Sequence, residues 1–328
     1  MKAHTKLGLV GLGGISAAHR AAAEAEPAVG FIAGVDPNPA GREAFAKATN
    51  AATFESVASM LADDAVCEQL DGVVLCTPPA VRAELVGPLL ERGIGVLMEK
   101  PAAHSLEHAQ RLVDLAEQTP GVPARVAYCH RFTPAVVEMK RQIDAGELGE
   151  LVRFENTFAC WHPTMREHWM SDPALSGGGS LIDTGSHGLD LFHYLCGPSR
   201  LEGMVRRHGW SGRGDSNATL LVAAGSADAA IAGVLNSGWA EPARFTLTVV
   251  GSKGLLGYDY EKPTELISKP SEGESKTLAI ETHEVRFARQ LKAFADLLAR
   301  PDRPSQLCTF AQAAAVAEVL AGQSALAG

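Results

Sequence analysis

The chain has 328 residues, 46% hydrophobic and 20% charged, an ordinary globular composition with enough length for two domains of about 100–200 residues each. With 29 basic against 38 acidic residues the formal charge is −9, which argues against a nucleic-acid or anionic-membrane surface, so neither partner is expected. Six scattered cysteines with no C-x-x-C pair argue against a zinc ribbon or disulfide framework; with no apolar leader and no span of about 20 apolar residues, a cytoplasmic protein is expected.

The first third alternates short apolar runs with longer amphipathic stretches. Leu7–Val10, Gly30–Val35, Gly72–Cys76, Gly95–Met98 and Arg125–Cys129 read as strands. Ser16–Ala25, Pro39–Ala48, Ser56–Leu61, Val81–Glu91 and Leu106–Gln118 read as the helices between them. Near-continuous apolar strands alternating with helices predict a doubly wound parallel sheet, covered on both faces, over residues 1–124.

Gly11-Leu12-Gly13-Gly14-Ile15-Ser16 follows the first strand and opens the first helix. The first glycine permits the tight turn, the second lets backbone approach a pyrophosphate, and the third position must be small. The helix start then offers N–H groups and a favourable dipole to phosphate, with Gly14 and Ile15 at the contact. Asp36 ends the second strand about 20 residues on, where an acid bonds the adenosine ribose. These residues predict dinucleotide binding. The carboxylate favours NAD by repelling a 2′-phosphate, while Arg42 nearby keeps NADP open. Thr77 and Pro78 close the strand at Gly72–Cys76 as a rigid shelf, and Glu99-Lys100-Pro101 closes the one at Gly95–Met98; both lie at the carboxyl edge where such sheets bind ligands.

After Arg125 the pattern changes. A helix over Pro134–Ala145 leads to a strand at Leu151–Phe158, a loop rich in Trp, His and Pro, three glycines, and a helix over Ser180–Leu195. Runs at Glu202–Arg207, Ala218–Ala223, Ala229–Asn236, Phe245–Val250 and Gly254–Tyr258 come next without helices between them. They predict an open, largely antiparallel sheet in an α/β domain over 125–328, closed by helices at Glu284–Ala299 and Phe310–Leu320. Asp183, His187, Asp190 and Tyr194 recur at helical spacing on one face of an otherwise apolar helix, an arrangement that is expensive without partners or purpose. Histidine is the natural proton acceptor for alcohol oxidation near neutral pH, with Asp183 one turn away to orient it. Asp183, His187, Asp190 and His193 are of metal-ligand type, but no metal-specific spacing is present and no metal is expected.

With Gly-Leu-Gly-Gly-Ile, Cys-Thr-Pro-Pro, Glu99-Lys100-Pro101, Tyr128-Cys129-His130-Arg131-Phe132 and Gly-Gly-Gly-Ser-Leu-Ile-Asp183-Thr-Gly-Ser-His187 in this order, the chain resembles the Gfo/Idh/MocA oxidoreductases. The group includes glucose–fructose oxidoreductase and inositol dehydrogenase. The resemblance implies a Rossmann domain and a second domain whose open sheet forms the interface of a homodimer or homotetramer. It implies that Lys100, Asp183 and His187 match the catalytic trio, with the histidine as general base. It also places His130, Arg131, Asn156, Trp161, His162, Arg166, His168 and Trp169 where such proteins build the sugar-facing wall. The implied activity is hydride transfer between nicotinamide and a hydroxyl-bearing carbon of a sugar, sugar derivative or cyclitol. Two alternatives remain open on sequence: glycoside cleavage through transient oxidation, and dinucleotide sensing on the same scaffold.

Overall fold

The computed structural model describes residues 4–208 and 214–322. In chain order it begins β1 (Thr5–Val10), α1 (Gly14–Ala25), β2 (Val29–Val35), α2 (Pro39–Thr49), β3 (Ala52–Phe54), α3 (Val57–Leu61), α4 (Asp64–Cys67) and β4 (Gly72–Leu75). It continues α5 (Arg82–Glu91), β5 (Gly95–Glu99), α6 (Leu106–Gln118), β6 (Ala124–Ala127), α7 (Pro134–Asp144), β7 (Leu151–Trp161), α8 (Pro173–Ser176) and α9 (Ser186–Cys196). Strands β8 (Ser199–Arg207), β9 (Asn217–Ala224), β10 (Ile231–Gly238), β11 (Ala240–Gly251), β12 (Gly254–Asp259), β13 (Glu265–Pro270) and β14 (Lys276–Ala279) come next. The last elements are α10 (Arg286–Ala299), β15 (Cys308–Thr309) and α11 (Phe310–Leu320).

Two compact units divide the chain. The first comprises residues up to Ala102, Glu107–Cys129 and Phe287–Gln312; the second comprises Ala103–Leu106, His130–Arg286 and the residues from Ala313 on. A cut at 124/125, expected from sequence, falls inside β6, which belongs to the first unit. The tail also returns there. Side chains of Phe294 and Leu298 on α10 lie against Gly72 and Gly95, where the absence of a Cβ leaves them room. Strand β15 pairs antiparallel with β6.

The first unit holds a seven-stranded sheet in the order β15-β6-β5-β4-β1-β2-β3, parallel except for β15. This is the doubly wound order 3-2-1-4-5-6 with an added edge strand. Leu7, Leu9, Val73, Val74, Leu75, Val96, Leu97 and Met98 are fully buried, as strands covered on both faces require. Three-residue β3 was not expected, being too short to show a period.

The second unit holds an eight-stranded sheet in the order β14-β13-β12-β11-β7-β10-β9-β8, antiparallel except where β10 runs parallel to β7. Helix α9 packs on the face bearing Phe154, Phe158, Leu235 and Leu247; Phe192 meets Phe154 edge to face at 5.3 Å. On the opposite face Val205 is 72% and Leu221 46% exposed on neighbouring strands, and Ile267 is exposed toward the other edge of the sheet, on β13. The polar hairpin β13–β14 was not read from sequence, because edge strands lack a strong apolar signal.

Gly188 brings α9 onto β7: a Cβ there would fall on Asn156 Oδ1. Alanine in place of glycine favours an exposed helix by about 1 kcal/mol, whereas overpacking costs about 1–3 kcal/mol. Gly188→Ala is therefore expected to destabilise the protein, and to be neutral or stabilising in an Asn156→Ala background. Urea midpoints of the four proteins check this; equal shifts in both backgrounds contradict the packing account.

Candidate active site

The dinucleotide residues of the first unit gather where the strand order reverses, between β1 and β4. Gly11 has φ +86°, and a Cβ there would lie 2.9 Å from the Cys76 carbonyl carbon and 3.0 Å from Thr77 N. Only glycine lets the two strand ends meet so closely. Cβ atoms at Gly13 and Gly14 would meet nothing within 4 Å, so the surface above this turn is open. Helix α1 starts there with no side-chain cap and no acid in its first turn, which leaves its dipole to favour an anion. Ser16 is buried and donates its hydroxyl to Gly13 O at 2.6 Å. Ile15 and Pro78 are exposed, and the buried Thr77 Oγ1 has no protein partner.

Asp36 accepts the Leu12 N–H at Oδ2 (2.7 Å) and the Asn38 N–H at Oδ1 (2.8 Å), tying the acid to the glycine turn. Arg42 donates from Nη1 to the carbonyls of Asp36 (2.7 Å) and Pro37 (3.0 Å). An open glycine turn, an uncapped helix start, a fixed carboxylate and an unsatisfied threonine hydroxyl together fit a dinucleotide. Glu99 ends β5 with Oε1 2.8 Å from His19 Nε2 and Oε2 accepting the Lys100 N–H at 3.1 Å. Lys100 is half-buried and joined to Pro101 by a cis peptide.

In the second unit, Gly177, Gly178 and Gly179 all have positive φ, and a Cβ at Gly178 would crowd Pro173 and one at Gly179 would crowd Asp215. Asp215 anchors the start of the helical segment after these glycines. Its Oδ2 accepts from Ser180 Oγ (2.8 Å) and Leu181 N (2.9 Å), and burial pushes its carboxyl above the usual range. Leu181–Gly185 is a π-helical turn running into α9, a feature frequent at functional sites. Asp183 Oδ2 accepts the Trp239 indole N–H at 3.2 Å. His187 is 8% exposed, edge-on to His130 with centroids 4.5 Å apart, and His130 Nδ1 lies 2.7 Å from the Tyr260 hydroxyl.

Asp183 and His187 thus share one helical segment, as read from sequence, but Asp190 and Tyr194 serve elsewhere. Asp190 forms a bidentate pair with Arg131, the two side chains only 1% and 3% exposed, and the guanidinium lies over the Tyr194 ring at 4.9 Å. Such a pair withstands burial only because its hydrogen bonds are well formed. Arg131, expected on the sugar-facing wall, holds Asp190 with its guanidinium. Asn156, expected on the same wall, is buried and donates to Thr246 O at 3.0 Å beneath α9. Trp161 is 63% exposed and three residues along β7 from Phe158, whose ring is 6.4 Å from that of His187. Alternation puts Trp161 on the opposite sheet face from His187. His168 and Trp169 stay in the loop, rings 5.5 Å apart, with His168 exposed. Sequence reading missed Arg82, His19, Asp215, Trp239 and Tyr260; the local signal was a polar group within an apolar stretch at Arg82 and His19.

The first unit has a dinucleotide-binding fold, and the second carries Asp183 and His187 on one helical segment. Residues 5–128 match the oxidoreductase family, NAD-binding Rossmann fold, and residues 136–257 match the GFO/IDH/MocA C-terminal domain. The chain belongs to the Gfo/Idh/MocA family. It is 29% identical over 226 residues to the rhizopine catabolism protein MocA of Rhizobium meliloti, covering 66% of each chain. It is also 29% identical over 202 residues to levoglucosan dehydrogenase of Pseudarthrobacter phenanthrenivorans, covering 58% of this chain and 51% of that one. The chain therefore aligns with between half and two thirds of these relatives' length. Among solved structures, levoglucosan dehydrogenase with NADH superposes with TM-score 0.85 at 20% identity, over 97% of this chain and 95% of that one. A 3-ketoreductase from Actinomadura kijaniata with NADP and TDP-benzene superposes with TM-score 0.82 at 20% identity, over 97% and 96%.

Asp36 generates a prediction on cofactor choice. NAD is expected to bind more tightly than NADP, and Asp36→Ala to narrow the gap while weakening NAD, since it also releases the Leu12 N–H. Fluorescence titration of both nucleotides checks this, and a wild-type preference for NADP contradicts it.

Proposed function

We propose that the protein is an NAD(P)-dependent dehydrogenase moving a hydride to or from a hydroxyl-bearing carbon of a sugar, sugar derivative or cyclitol. The carrying observation is His187 beside Asp183 on one helical segment, in a chain whose other unit is an NAD-binding Rossmann fold. The names of relatives support the substrate class, among them levoglucosan dehydrogenase and the scyllo-inositol 2-dehydrogenase of Bacillus subtilis.

The nicotinamide, when bound, supplies the hydride acceptor or donor. His187 serves as base and takes the hydroxyl proton on its imidazole. Asp183, steadied by the Trp239 indole, holds its negative charge where it stabilises the imidazolium that forms. The resemblance gives Lys100, at the end of β5, the third place in the catalytic trio, as a cation that stabilises negative charge developing on a substrate oxygen. His168 and Trp169 offer a polar group and a flat ring to a polyhydroxylated ring. The exposed face carrying Val205, Leu221 and Ile267, with Trp161 at its end, suits the interface of a homodimer or homotetramer. None of the six cysteines forms a disulfide, which supports a reducing, cytoplasmic setting.

A panel of sugars, cyclitols and glycosides, followed by nicotinamide absorbance and product mass, tests the reaction. Net cofactor reduction is expected. Bond cleavage without net reduction, or silence across the panel with NAD bound, contradicts it. On the active substrate, His187→Ala is expected to lower turnover about 100- to 10,000-fold and to erase the acidic limb of the pH–rate profile. Asp183→Asn should lower turnover too, and the double mutant should be little worse than the poorer single, since both serve one proton transfer. Additive losses with the limb retained would show that the base lies elsewhere.

A further inference from the structure

Arg82 opens α5 immediately behind the Thr77-Pro78 shelf, yet it is only 2% exposed. Its Nε and Nη2 donate to the Thr77 carbonyl at 2.9 and 2.6 Å, and its Nη1 donates to the carbonyls of Glu99 and Pro101. One guanidinium therefore joins the loop that closes β4 to the loop that closes β5, and the two Nη1 acceptors flank Lys100 in sequence. The Glu99 side chain turns the other way, to the fully buried His19 on α1 and to the Lys100 N–H. Lys100 is thus framed on both sides: its neighbours' carbonyls are held by Arg82, and its own N–H by a carboxylate pinned to the helix that begins at the glycine turn.

The chemistry explains why an arginine stands there. A planar guanidinium directs several N–H donors at fixed angles, whereas an ammonium offers one nitrogen and cannot reach separated carbonyls from set directions. Burial lowers the Arg82 pKa to about 10, and the Glu99 charge opposes that shift, so the cation persists at neutral pH. Buried charge of this kind is costly unless every donor is used. The three carbonyls it holds all belong to the two loops that carry Thr77 and Lys100.

We propose that Arg82 is a positioning residue that sets where the Lys100 amine is delivered, with the His19–Glu99 pair as its second anchor on α1. The proposal rests on the part given to Lys100 in the reaction above. A merely structural arginine would affect stability and cofactor binding together; a positioning one acts on turnover through Lys100.

The test compares Arg82→Lys, Lys100→Met and the double mutant in the full-length protein. Arg82→Lys is expected to bind NAD within about threefold of wild type, keep KM nearly unchanged and lose about 10- to 100-fold in kcat. The double mutant should be no worse than Lys100→Met alone, because the arginine acts only through the lysine. A second readout needs no turnover: the rate of Lys100 acetylation by acetic anhydride, followed by peptide mass in the cofactor-free protein, should change at least threefold in Arg82→Lys. Should Arg82→Lys fail to fold, His19→Asn takes its place, with a smaller loss of kcat and the same non-additivity expected. Wild-type kcat and labelling in the variant, or a loss that adds in full to that of Lys100→Met, overturns the proposal. Full activity in Lys100→Met overturns the reading of the reaction itself, whereas an inactive Lys100→Met beside a normal Arg82→Lys overturns only the positioning role.

Discussion

In the first unit the turn at Gly11 presses on the backbone of Cys76 and Thr77, where a side chain would stand 2.9 Å from a carbonyl carbon. That contact closes the gap between β1 and β4 at the point where strand order reverses, and the other cofactor residues are placed relative to it. The Leu12 N–H, one residue on, is what Asp36 grips. The shelf at Thr77 is what Arg82 grips from behind. The same device recurs in the second unit, where Gly179 admits Asp215 and Gly188 admits Asn156. In each case a missing Cβ lets a polar side chain or backbone reach a partner that fixes a functional turn.

Buried charge does the remaining positioning. Arg131 with Asp190, Arg82 with its three carbonyls, and Glu99 with His19 are all withdrawn from solvent. Each would be destabilising alone, since an unpaired ion in the interior loses several kcal/mol of hydration. Paired, each fixes a segment that carries a proposed catalytic group: α9 for His187, and the end of β5 for Lys100. Directional hydrogen bonds constrain orientation more sharply than apolar contact, which suits segments whose side chains must meet a small polar substrate.

The parallel sheet was legible because its strands are buried on both faces and so are apolar throughout, and because the glycine turn, Asp36 and Glu99-Lys100-Pro101 are local signals. The helical pairing of Asp183 with His187 was legible for the same reason. Residue fates set by distant partners were not. Arg131 and Asp190 lie 59 positions apart in sequence, and Trp239 and Asp183 lie 56 apart. Nothing near Arg131 distinguishes a guanidinium bound for substrate from one bound for a buried carboxylate. The face on which Trp161 leaves the sheet depends on how far β7 extends, and the strand runs to Trp161 rather than ending at Phe158. The packing of α10 on the first sheet uses the room left at Gly72 and Gly95, more than 190 residues earlier in the chain.

The central claim is hydride transfer from a substrate carbon to nicotinamide, and isotope tracing tests it most directly. A substrate that turns over is prepared with deuterium at the carbon whose hydroxyl is oxidised, and the reduced cofactor is weighed by mass spectrometry. The account predicts one deuterium in each NADH formed and a carbonyl at that carbon in the product. Reduced cofactor without deuterium, or a cleaved product with deuterium kept at its original carbon, would contradict it.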